Sequence, residues 1–172
     1  NMVFMGGGIR AGGSASLSAG GDLLLLAYDT DRQMRAQSAR DKDGNPIGRG
    51  PVWSYENSTS NQSGVDINVG GSLNASAGGN LVAQGVSATV GGSTNLSAGG
   101  NMSLTTALNG HAQSYNFFNR YKTSGGLIKI EQSIDQRNIQ LTNSGKSWSS
   151  GGGMNLSAGG DISLVGAKIN SQ

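Results

Sequence analysis

Few side chains in this sequence can do chemistry, so the first question is whether any of them stand together. The acids crowd once, at Asp29, Asp31 and Glu56. Clustered carboxylates, or a carboxylate beside Arg or Lys, would suit acid–base cleavage of a polysaccharide. Two further acids, Asp22 and Asp161, stand 139 residues apart. The stretch "DKDGN", Asp41 to Asn45, opens like a calcium-binding EF-hand loop, but Val52 stands where the twelfth position needs a Glu. An Asp-Gly turn is the better reading. His111 is the only histidine and there is no cysteine, which leaves no ligand set for a catalytic zinc. The abundant serines have no base but His111 for a nucleophilic triad. The Gly-Gly pairs lack the Lys-Ser/Thr ending and following helix of a phosphate loop. These residues predict no catalytic residue, no metal and no cofactor in a chain that is not an enzyme.

One stretch offers binding chemistry instead. "YNFFNRY", Tyr115 to Tyr121, packs four aromatics and Arg120 into seven residues, and Lys122 follows. Interfaces draw most of their energy from a few aromatics and arginines. Tyr115, Phe117, Phe118, Arg120, Tyr121 and Lys122 are therefore the candidate partner contacts. In a strand, adjacent side chains point opposite ways, so Phe117 and Phe118 cannot both cover the same neighbour.

The elements that must position these residues are written as a repeat. "GGSASLSAGGD" (Gly12 to Asp22), "GGSLNASAGGN" (Gly70 to Asn80), "GGSTNLSAGGN" (Gly91 to Asn101) and "GGGMNLSAGGD" (Gly151 to Asp161) align without gaps. The middle two start 21 residues apart, and the outer steps are 58 and 60 residues. A period near 20 means stacked units that cannot bury their faces alone. Glycine makes up 30 of 172 residues, which excludes helical repeats. Apolar Leu96 sits between Asn95 and Ser97, and Met102 and Leu104 flank Ser103, so each block reads as strand, Gly corner, strand. Gly99 and Gly100 are expected to turn that corner with a left-handed backbone and to let chains pack closely.

The fold predicted is all-β: a parallel β-helix, or β-solenoid, with coils of about 21 residues. Right-handedness follows from the bias of crossovers between parallel strands. Stacking puts Leu17, Ala75, Leu96 and Leu156 in one column, and Leu23, Leu81, Met102 and Ile162 in another. Asn74, Asn95 and Asn155 share a third, fit for an amide ladder, and Ser18, Ser76, Ser97 and Ser157 a fourth. Residues 1–172 then form a single solenoid fragment with insertions at about 27–66 and 107–150. Each long step holds either one coil plus an insertion or about three degenerate coils.

The insertions carry the chemistry. Eighteen of the 22 charges and eight of the nine aromatics lie in them, the latter including Trp53, Tyr55 and Trp148. "GVDINVGG" alternates Val65, Ile67 and Val69 and so rejoins a coil as a strand. The second insertion alternates Ile128 and Ile130, then Ile139 and Leu141, around "DQRN", which suits a hairpin. Its aromatics serve either to fix that hairpin to the coil beneath or to touch a partner. The net charge of +2 carries no basic patch for nucleic acid. No apolar run approaches membrane-spanning length. Asn1 opens no signal peptide and reads like the interior of a longer chain.

"LSAGGDISLVGAKI" and "LSAGGNMSLT" resemble the haemagglutinin repeats of filamentous-haemagglutinin-type exoproteins, and "YKTSGGL", Tyr121 to Leu127, resembles a stretch that interrupts them. That family comprises long proteins exported by two-partner secretion, among them adhesins and contact-dependent growth inhibition effectors. The resemblance implies a secreted, cell-surface structural and interaction segment, serving adhesion or toxin delivery to neighbouring cells. It also implies an outer-membrane secretion partner for the whole protein, and a receptor or outer membrane on the target cell. The competing expectation is a carbohydrate-active β-helix enzyme, a lyase or hydrolase.

Overall fold

Small, β-prone residues in period-two alternation, broken by Gly pairs, give short strands and nothing else. The computed structural model describes residues 1–40, 43, 51–122, 129–144 and 146–172, and among these there is no helix. Most of "DKDGN" and of "YKTSGGL", together with Ile128, lies outside the described residues. The strands are β1 (Met2–Met5), β2 (Gly7–Ala11), β3 (Ala15–Ala19), β4 (Leu23–Leu26), β5 (Tyr28–Gln37), β6 (Val52–Ser63), β7 (Val65–Val69), β8 (Leu73–Ala77) and β9 (Leu81–Gln84). There follow β10 (Ser87–Val90), β11 (Thr94–Ala98), β12 (Met102–Thr105), β13 (Leu108–Lys122), β14 (Lys129–Asn143), β15 (Ser147–Ser150), β16 (Met154–Ala158), β17 (Ile162–Val165) and β18 (Lys168–Ser171).

The chain divides into two compact units. The first comprises Asn1–Thr30, Asn61–Asn109 and Asn143–Gln172. It holds three parallel sheets, ordered β1-β4-β9-β12-β17, β2-β7-β10-β15-β18 and β3-β8-β11-β16. Successive short strands visit the three sheets in fixed rotation. Each long step between blocks contains one such round plus two long strands, β5 and β6 or β13 and β14, so the degenerate-coil alternative falls.

The proposed columns stand in register. Leu96 lies opposite Ala75 and Leu156, and Leu17 opposite Ala75. Met102 lies opposite Leu81 and Ile162. Leu23, Leu73, Leu81, Leu96, Met102 and Leu104 are buried in one cluster to which all three sheets contribute. Buried apolar area at about 25 cal/mol per Å² is the main stabilising term here. Two hydroxyls enter this interior, Thr94 and Ser150. They satisfy each other at 3.2 Å, and Ser150 also donates to the Gly92 carbonyl at 2.8 Å.

Polar columns bond along the stack. Asn95 donates from Nδ2 to Asn74 Oδ1, and Asn155 to Asn95 Oδ1, both at 2.8 Å. After the second Gly pair of each block stands an Asp or Asn, and in the first three blocks its oxygen accepts the N–H of its counterpart in the next repeat. Asp22 accepts from Asn80 at 2.8 Å, Asn80 from Asn101 at 2.9 Å, and Asn101 from Asp161 at 2.9 Å. Asp22 and Asn80 do the same job, which explains why the acid is interchangeable with an amide.

The corner glycines are there for one of the two expected reasons only. None in the Gly99–Gly100 corner or its counterparts has a left-handed backbone. A Cβ on Gly99 would instead press into the Gly78 carbonyl oxygen, and one on Gly78 into that of Gly20. The ladder continues through the corner, Gly99 donating to the Ala77 carbonyl at 2.9 Å and Gly100 to that of Gly79 at 2.8 Å. Trp148, grouped by sequence with the second insertion, belongs to β15. It lies opposite Ala88 and Ile169 and is 4% exposed, so it fills core rather than a hairpin.

The second unit, Asp31–Ser60 with Gly110–Thr142, is one antiparallel sheet ordered β14-β13-β6-β5. The two insertions are thus hairpins that share a sheet. "DQRN" is not a turn. It lies inside β14.

Candidate functional site

The antiparallel sheet gathers the residues that the parallel sheets lack. Its centre is the β6/β13 pair, with Tyr115 opposite Tyr55, Phe117 opposite Trp53, Ser114 opposite Glu56 and Phe118 opposite Val52. Alternation then sorts the side chains. Trp53, Tyr55, Tyr115 and Phe117 share one face. Ser54, Glu56, Ser114, Asn116 and Phe118 share the other.

On the aromatic face Tyr115 and Phe117 stack, with ring centroids 6.5 Å apart and planes at 21°. All four rings there are half-buried. Tyr55 and Tyr115 border an open depression of about 650 Å³, with Gln136 and Asn138 of β14 beside them. Rings held this way present broad, rigid area at little entropic cost. Near the same face His111 lies opposite Thr59, its Nδ1 3.3 Å from the Thr hydroxyl.

The opposite face is polar. Arg35 of β5 donates from Nε and Nη2 to Glu56 Oε1, at 3.0 and 2.9 Å. Both side chains are well exposed, so the pair contributes at most about 1 kcal/mol. Glu56, Ser114, Asn116, Asp135 and Arg137 line one shallow depression of about 380 Å³. Phe118 stands at the end of this face, 39% exposed.

The expected partner contacts are therefore divided. Tyr115 and Phe117 lie together on the aromatic face, and Phe118 turns to the polar one, as strand alternation requires. Arg120, Tyr121 and Lys122 continue β13, and their side chains lie outside the described residues. Sequence reasoning left out Trp53 and Tyr55 as partners of this cluster. The signal was present: "WSY" and "YNF" both space two rings by two residues, which puts both on one face of a strand. Register between the two insertions was not readable, because partners such as Asn57 and Gln113 stand 56 positions apart in the chain.

Of the other candidates, Asp29 and Asp31 lie on β5, and Asp22 serves the ladder described above. Among the described residues no group of three or more His, Asp or Glu could hold a metal.

A protein-family model described as repeats of unknown function (DUF5649) matches residues 57–114, which is 58 of the 172 residues. The match takes in the two middle repeat blocks. No curated protein and no solved structure matches the chain.

Proposed function

We propose that this chain is a right-handed β-solenoid segment of a long, secreted bacterial surface exoprotein of the filamentous-haemagglutinin type. Its coils act by shape and stiffness. Its inserted sheet is the contact surface for a receptor or outer membrane on a target cell, in the service of adhesion or toxin delivery. The observation that carries this reading is the separation of roles. Three sheets visited in rotation, with like residues in register, build a scaffold of small repetitive side chains. Seven of the nine rings and half of the 22 charges are gathered in the four-stranded sheet instead. Repeat proteins use regular units in this way to carry irregular insertions.

The reading assigns no catalysis. An enzyme acting on polysaccharide would draw on Glu56 and Asp135, the two acids bordering the polar depression, and Glu56 is engaged by Arg35. Turnover of bacterial or host polysaccharides by the purified protein would decide for the enzyme.

The test of the contact role is Phe118→Ser combined with Arg120→Ser, made in the full-length exoprotein. Phe118 is the cleaner probe, because Phe117 packs on Tyr115 and stands opposite Trp53. Surface display should be unchanged, while target-cell binding or cargo delivery falls about tenfold, as loss of interface anchors does. Unchanged binding with normal display would return the contact role to other parts of the exoprotein.

A further inference from the structure

The long edge strand of the antiparallel sheet carries a self-complementary charge pattern. β14 is the terminal strand of its sheet, fifteen residues long, and holds neither Pro nor Gly. Fifteen residues of strand extend about 50 Å. Natural sheets blunt such edges with Pro, bulges or charges, because their unpaired N–H and C=O groups recruit other strands. This edge keeps only the charges. Asp135 and Arg137 sit two residues apart, hence on one face, at the middle of the strand. Both are exposed, and among the described residues neither has an ion-pair partner.

We propose that β14 pairs antiparallel with β14 of a second copy of this chain, about a two-fold axis at Gln136. Three observations select this register. The strand runs from Lys129 to Asn143, so Gln136 is its midpoint and pairing about it uses the whole length. Ser144 donates its N–H to the Ala107 carbonyl at 2.8 Å at the root of the β13/β14 pair. Alternation from there turns the N–H groups of even-numbered residues toward β13 and those of odd-numbered residues outward. Two outward-facing strands can bond only odd residue to odd residue, which excludes alignments between residues and leaves, within one residue of the midpoint, those on residue 135, 136 or 137. An axis at 135 sets Asp135 against Asp135, and one at 137 sets Arg137 against Arg137. The axis at 136 sets Asp135 of each copy against Arg137 of the other, forming two ion pairs on one face. The charges that repel foreign or misaligned strands thus favour this one, and opposite charges directly across a strand pair are stabilising where like charges are not.

The same pairing lays a neighbour beside Ile139 and Leu141, which are 54% and 68% exposed. At the other edge of the sheet Arg35 is already held by Glu56, so β5 lacks a free charge couple of this kind. Main-chain bonding along an added strand supplies the affinity, and the charge couple sets the register.

Sedimentation velocity of the whole chain over a wide concentration range tests this. The wild type should be a dimer in equilibrium with monomer. Asp135→Arg and Arg137→Asp should each weaken self-association roughly tenfold or more, because each leaves only like charges across the axis. An equimolar mixture of the two variants should dimerise again, since each supplies the charge the other lacks. Ser133→Pro removes an outward N–H without altering charge and should also give monomer. Circular dichroism identical to wild type verifies that each variant folds. A wild type that stays monomeric, a dimer indifferent to both single substitutions, or a mixture of the variants that stays monomeric would each overturn the proposal.

Discussion

The parallel-sheet unit and the antiparallel sheet use the same backbone state under opposite rules. In the first, a residue is chosen for what stands at the same place one repeat away. Asn95 bonds Asn74 and is bonded by Asn155, and Leu96 lies between Ala75 and Leu156. Chemistry is excluded because a charge in a column would meet another of its kind about 4.8 Å away. In the second, cross-strand partners mostly differ: Phe117 faces Trp53, Ser114 faces Glu56 and His111 faces Thr59, while only Tyr115 meets its own kind, in Tyr55. Repetition confers regularity, and only a departure from it leaves room for recognition.

The largest effect should come from violating the column rule in the interior. Leu96 is 2% exposed, and Leu96→Asp buries a carboxylate with no cation within the cluster. That costs several kcal/mol even after relaxation. Ser97, the next residue, is exposed, and Ser97→Asp should stay within about 0.5 kcal/mol of wild type. Urea denaturation separates the two variants, and equal midpoints would refute the register.

Glycine gives a sharper contrast, because one substitution can be made in both units. Gly99→Ala drives a methyl into the Gly78 carbonyl, a contact with rigid backbone, and should cost about 1–3 kcal/mol. Gly110→Ala, in β13, meets only Leu141 and Ser60 side chains, at 3.6 and 3.8 Å. It should be neutral or slightly stabilising, since alanine restricts the unfolded chain. If both substitutions cost the same in thermal melts, close stacking is not what the corner glycines supply.

How much of this was legible follows the same division. The columns could be read from the sequence because four aligned blocks state the register outright, and period two assigns inside and outside at Leu96 and Ser97. "GVDINVGG" was readable for the same reason, and β7 buries Val65, Ile67 and Val69. The insertions carry no internal copy, so nothing announced that β6 and β13 would pair. Trp148 misled because every other aromatic except Phe4 lies in the insertions, yet it occupies the place where β10 holds Ala88. "DQRN" misled because polar, turn-prone residues are equally at home in an exposed edge strand.

Salt should distinguish the polar contacts of the two units at the smallest scale. Asn95→Ala removes two neutral amide bonds from the ladder, each worth about 0.5–1.5 kcal/mol net at most. Water can reach the exposed oxygen and amide left behind, so the loss should sit near the lower end, about 1 kcal/mol for the pair of bonds. It should be the same at low and high ionic strength, because no net charge is involved. Arg35→Ala removes an exposed ion pair worth roughly 0.2–1 kcal/mol in dilute buffer. At ~1 M salt the Debye length falls to about 3 Å, and the difference between Arg35→Ala and wild type should shrink toward zero. Stability curves of both variants at two salt concentrations measure this directly. A salt-dependent Asn95→Ala would mean that the ladder is carrying charge from its neighbours, and the contrast between the neutral amide ladder and the charged Arg35–Glu56 pair would not hold.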